Sequence, residues 1–289
     1  MSGLTRERTW RNVRRRLANR LMWVGAVLAV LLAVTPLLLV LYYVLRQGLP
    51  ALDWAFFTQL PKPVGEPGGG VSNAIVGTLV LVALASLFGL PVGILGGIYL
   101  AEFGNGRLGT AIRFTADVLI SVPAIVIGLL VWGLVVVPLK GFSALAGGAA
   151  LGIMMVPMVM RTTEELVRMV PLSQREAALA LGATRAKTTF TVVMAAAIGG
   201  VITGILLAVA RVAGEAAPLL FTAGDNRFLS VNITQQTSSL PVTIYLYATT
   251  PYRDLNEKAW AGALVLVALI LILSIAARYV TRGRFRLVR

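Results

Sequence analysis

Residues 71–101 read VSNAIVGTLVLVALASLFGLPVGILGGIYLA and carry no charged side chain. An α-helix needs about 20 predominantly apolar residues to cross the hydrocarbon core of a bilayer, and this run exceeds that length. Because the run is longer than needed, we predict that the helix begins near Asn73 and bends at Gly89–Pro91. This stretch therefore predicts a membrane-spanning helix.

Five further uncharged apolar runs flank it, at residues 21–45, 118–139, 141–160, 188–210 and 259–277. Each is about as long as one bilayer crossing. The 289-residue chain is 57% hydrophobic and 13% charged, with a mean hydropathy of +0.84. This composition excludes a soluble globular domain and a disordered chain. The predicted fold class is all-α, a polytopic membrane protein with six transmembrane helices.

Lysine and arginine are distributed unevenly between the segments that connect these runs. If both termini face the cytoplasm, most of the 26 basic residues fall in inside segments, as the positive-inside rule requires. Membrane topology then accounts for the formal net charge of +14, and membrane lipid but no nucleic acid is expected as a partner. We predict a multi-pass protein of the plasma (inner) membrane with cytoplasmic N- and C-termini. Its predicted parts are a basic cytoplasmic tail (1–20), a first anchor helix (21–45), a periplasmic loop (46–72), a transmembrane domain (73–280) and a basic cytoplasmic C-terminus (281–289).

The sequence contains neither Cys nor His, which removes disulfides, thiol nucleophiles, Cys/His metal sites and imidazole-based catalytic triads. None of the four lysines lies in the phosphate-binding pattern G-x-x-x-x-G-K-[ST] of ATPases; these are Lys62, Lys140, Lys187 and Lys258. We therefore predict a non-catalytic chain without a metal or cofactor of its own. Any step driven by ATP would require a separate ATPase subunit.

The segment 171–185 reads PLSQREAALALGATR and predicts a short helix outside the membrane. Ser173 and Glu176 have the spacing of a capping box, in which each side chain satisfies a free amide of the first turn. Gly182 suits a left-handed helix end. A second helix is predicted to start near Thr184 and to run into the fifth span.

The short helix would present a small apolar face formed by Ala177, Ala178 and Leu181. An exposed face of this kind indicates a protein partner. The alternative is that Glu176 only caps a surface helix, and the two roles can coexist.

Ionisable side chains in or beside the spans are functional candidates, because a charge at mid-helix costs roughly 2.5–3.5 kcal/mol on insertion scales. Arg211 and Glu215 are four residues apart and are predicted to share one face of the fifth helix. Arg161 and Glu164 are three apart at the end of the fourth. Since Arg stays charged and makes paired hydrogen bonds to oxyanions, we predict that these four line a substrate pathway. The alternatives are a structural ion pair for Arg211 and Glu215, and an ordinary basic residue at a cytoplasmic helix end for Arg161. Asp117 is expected to be an N-terminal charge of the third helix.

The motif Glu176-Ala177-Ala178, with Gly182 six residues after the Glu, resembles the coupling loop of ABC-importer permeases. The Ile-x-Leu-Pro that usually follows is replaced here by Val192-Val193-Met194-Ala195. The resemblance implies that residues 73–280 form an ABC permease domain of the type I, MetI-like fold. It further implies that the loop 163–188 docks on an ATPase through the coupling residues Glu176, Ala177, Ala178, Leu181 and Gly182.

The A-type permease of the phosphate-specific ABC importer is similar to this chain over most of residues 70–280. The similar stretches are Thr203–Ala223, Arg161–Glu164, Leu240–Ile244 and Gly97–Glu102. In that family, residues matching Arg161, Glu164 and Arg211 are implicated in phosphate movement. The resemblance implies a heterodimer with a second homologous permease, an ATPase dimer inside and a periplasmic or lipid-anchored phosphate-binding protein outside.

Other functions remain open on the residues alone. Arginine chemistry predicts an anion but does not separate phosphate from sulfate, molybdate or phosphonate. An ATP-independent channel or carrier and a mainly sensory membrane protein are the alternatives from other classes.

Overall fold

The computed structural model describes residues 10–66 and 68–282, and within these stretches the chain is helical without a β-strand. Of the predicted basic termini (1–20 and 281–289), residues 1–9 and 283–289 lie outside the described residues. The helices are α1 (Trp10–Gly48), α2 (Trp54–Thr58), α3 (Ser72–Phe103), α4 (Arg107–Ser121), α5 (Ala124–Leu139), α6 (Ala144–Arg168), α7 (Leu172–Ala180), α8 (Arg185–Ala213), α9 (Ala217–Thr222), α10 (Leu240–Ala248) and α11 (Arg253–Arg282).

Five of these helices are long and apolar enough to cross a membrane, namely α1, α3, α6, α8 and α11. They contain five of the six predicted spans. A sixth crossing is reached when the bent pair α4 and α5 counts as one span. The chain also divides into two compact units between Gln47 and Gly48, so that most of α1 forms a unit by itself.

The third predicted span, residues 118–139, is wrong as a single helix. α4 ends at Ser121, α5 begins at Ala124, and their directions differ by 104°. Val122 and Pro123 between them have extended backbone, with ψ angles of 130° and 135°. Proline lacks an N–H group and disfavours the helical conformation of the residue before it, so an uninterrupted apolar run does not continue as one helix.

The core of the second unit is built where α3 packs along α6. Glycines at every fourth position of α3 bring the two helices together, because α-helical side chains four apart share one face. A Cβ atom built at Gly93 would lie 2.8 Å from the Val159 Cβ, and one at Gly97 would lie 2.6 Å from the Thr163 Cβ. α3 starts at Ser72, beside the predicted Asn73, and continues as one helix with Pro91 inside it.

The segment 223–258 is part of the folded second unit. Its helix α10 begins with the buried residues Leu240 to Thr243. The backbone N–H of Leu240 donates to the Thr78 hydroxyl of α3 at 2.8 Å, so side-chain chemistry on α3 fixes the start of α10.

Candidate functional site

The segment 171–185 folds into two helices joined by a sharp turn, as predicted. α7 covers Leu172–Ala180, and Gly182 follows with a φ of +81°. The Gly182 N–H donates to the Leu179 carbonyl at 2.9 Å, and the Ala183 N–H donates to the Ala178 carbonyl at 3.1 Å. This is the Schellman pattern, which satisfies two carbonyls at a helix end and favours Gly at the left-handed position.

The predicted capping box of Ser173 and Glu176 is wrong. Pro171 is the N-cap residue, and no side chain accepts a bond from the first turn of α7. Because the helix starts at Leu172, Ser173 is already its second residue. The Glu176 N–H, which Ser173 would cap, is then past the first four residues whose amides lack a helical partner. The next helix starts where predicted: Thr184 is its N-cap residue, and the Thr184 hydroxyl accepts from the Lys187 N–H at 3.3 Å.

Beyond Thr184, α8 runs from Arg185 to Ala213 as one apolar helix with a π-helical turn at Thr188–Val193. This turn includes Val192 and Val193, the first two of the four positions at which the permease pattern usually has Ile-x-Leu-Pro. The turn between α7 and the fifth span is therefore joined to the transmembrane helix without a break in helical structure.

The predicted apolar face of α7 is mostly exposed. Leu181 is 90% exposed, Ala177 and Glu176 are exposed, and Ala178 is half-buried. A leucine with this exposure at the end of a membrane domain is suited to bind a protein partner.

Arg175 fixes the opposite face of α7 to the transmembrane helices, and sequence reasoning missed this contact. Its guanidinium pairs with the Glu102 carboxylate near the end of α3 and donates to the Val167 carbonyl of α6 at 2.8 Å. Both side chains are mostly buried. The signal in the sequence was an acidic residue closing an apolar run and a basic residue in the facing loop, but many such pairs were possible.

Glu164 is the buried centre of an ionic cluster with three partly exposed arginines around it. Its carboxylate accepts from Arg113 at 2.6 Å, from Arg161 at 3.2 Å, and pairs with Arg168 at 3.1 Å. Glu164 is only 2% exposed, so the charge is stabilised by these partners and not by water. The predicted neighbours Arg161 and Glu164 are therefore brought together.

Arg113 and Asp117 of α4 complete this cluster, and neither was predicted to belong to it. Besides Glu164, the Arg113 guanidinium donates to the carbonyls of Leu100 and Gly104 at 2.9 and 2.8 Å, at the end of α3. Asp117 pairs with Arg161 at 3.0 Å. It was expected to open a helix, but it lies in the last part of α4, because α4 starts ten residues earlier at Arg107.

Arg211 and Glu215 lie near the other end of α8. Their closest charged atoms are 4.0 Å apart, a loose pair, and the Arg211 side chain is 55% exposed. The prediction that both share one helix face is wrong for Glu215, because α8 ends at Ala213 and Gly214 is its cap residue. Glu215 belongs to the irregular turn before α9.

The two predicted pathway pairs do not contact each other. Gly204 of α8 packs against Thr162 of α6, next to Arg161, and Arg211 follows seven residues later. Seven helical residues rise by about 10 Å, so Arg211 lies about two turns further along the bundle than Arg161.

Comparisons with known proteins agree with this architecture. A family model described as "Binding-protein-dependent transport system inner membrane component" matches residues 93–286. The "Phosphate transport system permease protein PstA" of Yersinia pestis is 40% identical over 281 residues, which cover 97% of this chain and 94% of that protein. The protein of the same name in Xylella fastidiosa strain Temecula1 is 44% identical over 236 residues, covering 81% and 82%.

A solved structure supports the same fold. An inward facing conformation of the MetNI methionine ABC transporter contains a chain with a TM-score of 0.59 and 19% identity, covering 74% of this chain and 94% of that chain. At this identity the likeness shows the fold alone, and it confirms the predicted all-α, MetI-like permease architecture. Together with the match to the family model, it shows that the chain belongs to the binding-protein-dependent transport system inner membrane components.

Proposed function

We propose that this chain is the A-type permease subunit of an ATP-driven ABC importer that carries inorganic phosphate across the inner membrane. The observation that carries the proposal is the exposed α7 with its Gly182 turn, fixed to the bundle by Arg175 in a chain 40% identical to a phosphate transport permease. ATP hydrolysis and the nucleotide belong to a separate subunit, and this chain requires no cofactor.

The coupling role is assigned to Glu176, Ala177, Ala178, Leu181 and Gly182. The exposed Leu181 and Ala177 offer the apolar contact, and the Schellman turn at Gly182 gives the element one defined shape. Because α8 continues from this turn into the bundle, a push on α7 is transmitted to a transmembrane helix.

The substrate pathway is assigned to Arg211, Glu215, Arg161 and Glu164, and the four side chains contribute differently. The loosely paired Arg211 keeps guanidinium donors available for an oxyanion. When the anion leaves, the Glu215 carboxylate provides the counter-charge for the Arg211 guanidinium. Arg161 already bonds Asp117 and Glu164, so it contributes mainly positive potential near the far end of the path.

The proposed assembly is a heterodimer with a second homologous permease, two ATPase subunits on the coupling-loop side, and a phosphate-binding protein on the other side. High-affinity selection rests with the binding protein. ATP-driven closure of the ATPases alternates the permease pair between inward- and outward-facing states.

The proposed orientation places both termini and α7 in the cytoplasm, following the arginine distribution. Since the sequence contains no Cys, single cysteines can be introduced at Ser173 in α7 and at Val231 in the segment 223–239, both exposed. A membrane-impermeant thiol reagent added to intact cells is expected to label only the Val231→Cys variant. If only the Ser173→Cys variant is labelled, the orientation is the opposite of the proposed one.

The function is tested by phosphate uptake into vesicles that contain the purified complex and the binding protein. Uptake is expected to require internal ATP and to withstand excess sulfate and molybdate. Uptake that persists without ATP would indicate a channel or carrier, and uptake of sulfate or molybdate in place of phosphate would indicate another oxyanion importer.

A further inference from the structure

A cavity of about 260 Å³ lies at the end of the bundle opposite α7. It is formed where the start of α3 meets the segment 223–239 and α10, while the other end of α3 carries Glu102 beneath α7. Its volume accommodates a small oxyanion with a few waters. None of its side chains belongs to the pathway or coupling residues discussed above.

The charged side chains that line this cavity carry a net positive charge, which favours an anion. Lys62 and Arg227 line it, against one carboxylate, that of Asp225. Tyr247 also lines it, and burial, followed by the Asp225 charge, raises the pKa of this phenol above its ordinary value. The Tyr247 hydroxyl therefore keeps its proton at neutral pH and is available as a hydrogen-bond donor.

Asn73, which lines the cavity, carries a buried acceptor without a partner, its Oδ1 atom. Asn73 is 4% exposed, and its Nδ2 donates to the Asn226 carbonyl at 2.6 Å. That bond fixes which end of the amide is the oxygen, because the amide nitrogen must face the carbonyl. A buried unpaired acceptor is rare, because it costs free energy until a donor reaches it.

A hydroxyl relay holds the Asp225 carboxylate in place beside the cavity. The Ser238 hydroxyl donates to Asp225 at 2.7 Å, which leaves the Thr243 hydroxyl to donate to Ser238 at 3.0 Å. Ser238 and Thr243 are both buried. Asp225 retains free lone pairs, so the site offers fixed acceptors as well as donors.

We propose that this cavity is a transient binding site for a protonated oxyanion, with inorganic phosphate as the fitting ligand. Lys62 and Arg227 bind its charged oxygens, and Asn73 Oδ1 accepts the hydrogen of its P–OH group. Sulfate has no hydroxyl at neutral pH and leaves Asn73 unsatisfied, so we expect it to bind about tenfold more weakly. The inference rests on the proposed phosphate import and adds a selective site at the end of the bundle that the binding protein is proposed to meet.

Two variants separate recognition of the anion's charge from recognition of its P–OH hydrogen. The purified complex is placed in zwitterionic lipid nanodiscs without binding protein, and its binding of labelled phosphate and labelled sulfate is measured. Arg227→Gln is expected to weaken both anions about tenfold. Asn73→Ala is expected to weaken phosphate about tenfold and to leave sulfate unchanged, which abolishes the discrimination.

The matched control is Arg253→Gln at the same end of the bundle, whose side chain is 92% exposed and pairs only with Glu257 in the described ion pairs. It removes the same charge outside the cavity and is expected to bind both anions as the wild type does. Arg227→Lys keeps the charge and is expected to retain most of the binding, which separates lost recognition from lost folding.

Three outcomes overturn the site: no saturable phosphate binding by the wild type, unchanged binding in both variants, or an equal loss of both anions in Asn73→Ala. Loss of phosphate binding in phosphatidylglycerol nanodiscs that persists at high salt would identify an anionic lipid headgroup as the occupant and also overturn the site. ATP-driven uptake by the wild type is measured in parallel. If the wild type takes up phosphate but the variants bind both anions normally, only this site is contradicted. If the wild type takes up no phosphate, the proposed function itself is contradicted.

Discussion

The Arg113 guanidinium of α4 donates to the Glu164 carboxylate of α6 at 2.6 Å and, with its other nitrogens, to two carbonyls at the end of α3. One side chain thus ties three helices together. The buried Glu164 in turn compensates the charges of three arginines, whose side chains are 21% to 46% exposed. Removing Glu164 leaves these three guanidinium groups without their shared counter-charge, which is destabilising.

We expect Glu164→Gln to destabilise the permease by on the order of 3 kcal/mol, because three guanidinium groups lose their shared counter-charge. Thermal unfolding of the purified complex in detergent measures the effect. Glu257→Gln is the control, since Glu257 is half-exposed and its ion pair is expected to contribute little. Equal melting temperatures for the two variants would contradict the role of the cluster.

We expect Arg211→Gln to lower ATP-driven phosphate uptake about tenfold while the complex stays assembled, because guanidinium donors to the anion are lost. Arg211→Lys keeps the charge without the planar fork and is expected to give intermediate uptake. Subunit recovery after purification checks assembly. Normal uptake by the Gln variant would leave Arg211 with a structural role only.

We expect Gly182→Val to separate ATP hydrolysis from transport while membrane insertion is retained. A β-branched residue at φ +81° is strained by roughly 1–3 kcal/mol, so the turn between α7 and α8 changes shape. Gly106→Val is the control, because Gly106 has a φ of −98° and open space around its Cβ position. Coupled uptake in Gly182→Val would count against the coupling assignment.

We expect Arg175→Glu to weaken retention of the ATPase, because α7 loses its attachment to α3 at Glu102. The double variant Arg175→Glu with Glu102→Arg restores opposite charges and is expected to recover much of the retention. Co-purification of the ATPase under mild detergent measures both. If the double variant is no better than the single one, the pair does not position α7.

We expect Gly97→Leu to destabilise the bundle by about 1–3 kcal/mol, because a side chain there meets Thr163 of α6. Gly25→Leu in α1 has nothing within 4 Å of its Cβ position and is expected to leave the melting temperature unchanged. Both are measured by thermal unfolding. A tolerated Gly97→Leu would mean that α3 and α6 pack less closely than described.

The sequence predicted those features that depend on neighbours along the chain. Apolar runs long enough to cross a bilayer as helices predicted five of the spans, since each helix satisfies its own backbone hydrogen bonds in lipid. Gly182 and Thr184 likewise marked a helix end and a helix start, because their conformational and capping preferences act locally. The same local reasoning was wrong at Ser173, because α7 starts two residues earlier with Pro171 as its N-cap. It was also wrong at residues 118–139, where Pro123 outweighed the apolar pattern.

Only the tertiary structure decided which charges meet. Glu164 was predicted with Arg161 because they are three residues apart, but its 2.6 Å partner, Arg113, is 51 residues away. Arg175 similarly finds Glu102 across 73 residues. Ion pairs between helices depend on how helices pack and on their rotation, which small residues such as Gly93 and Gly97 set through close contact. Composition and periodicity thus determined that the chain is a bundle of membrane helices with an exposed helical turn, whereas the arrangement of its buried charges follows from packing between distant segments.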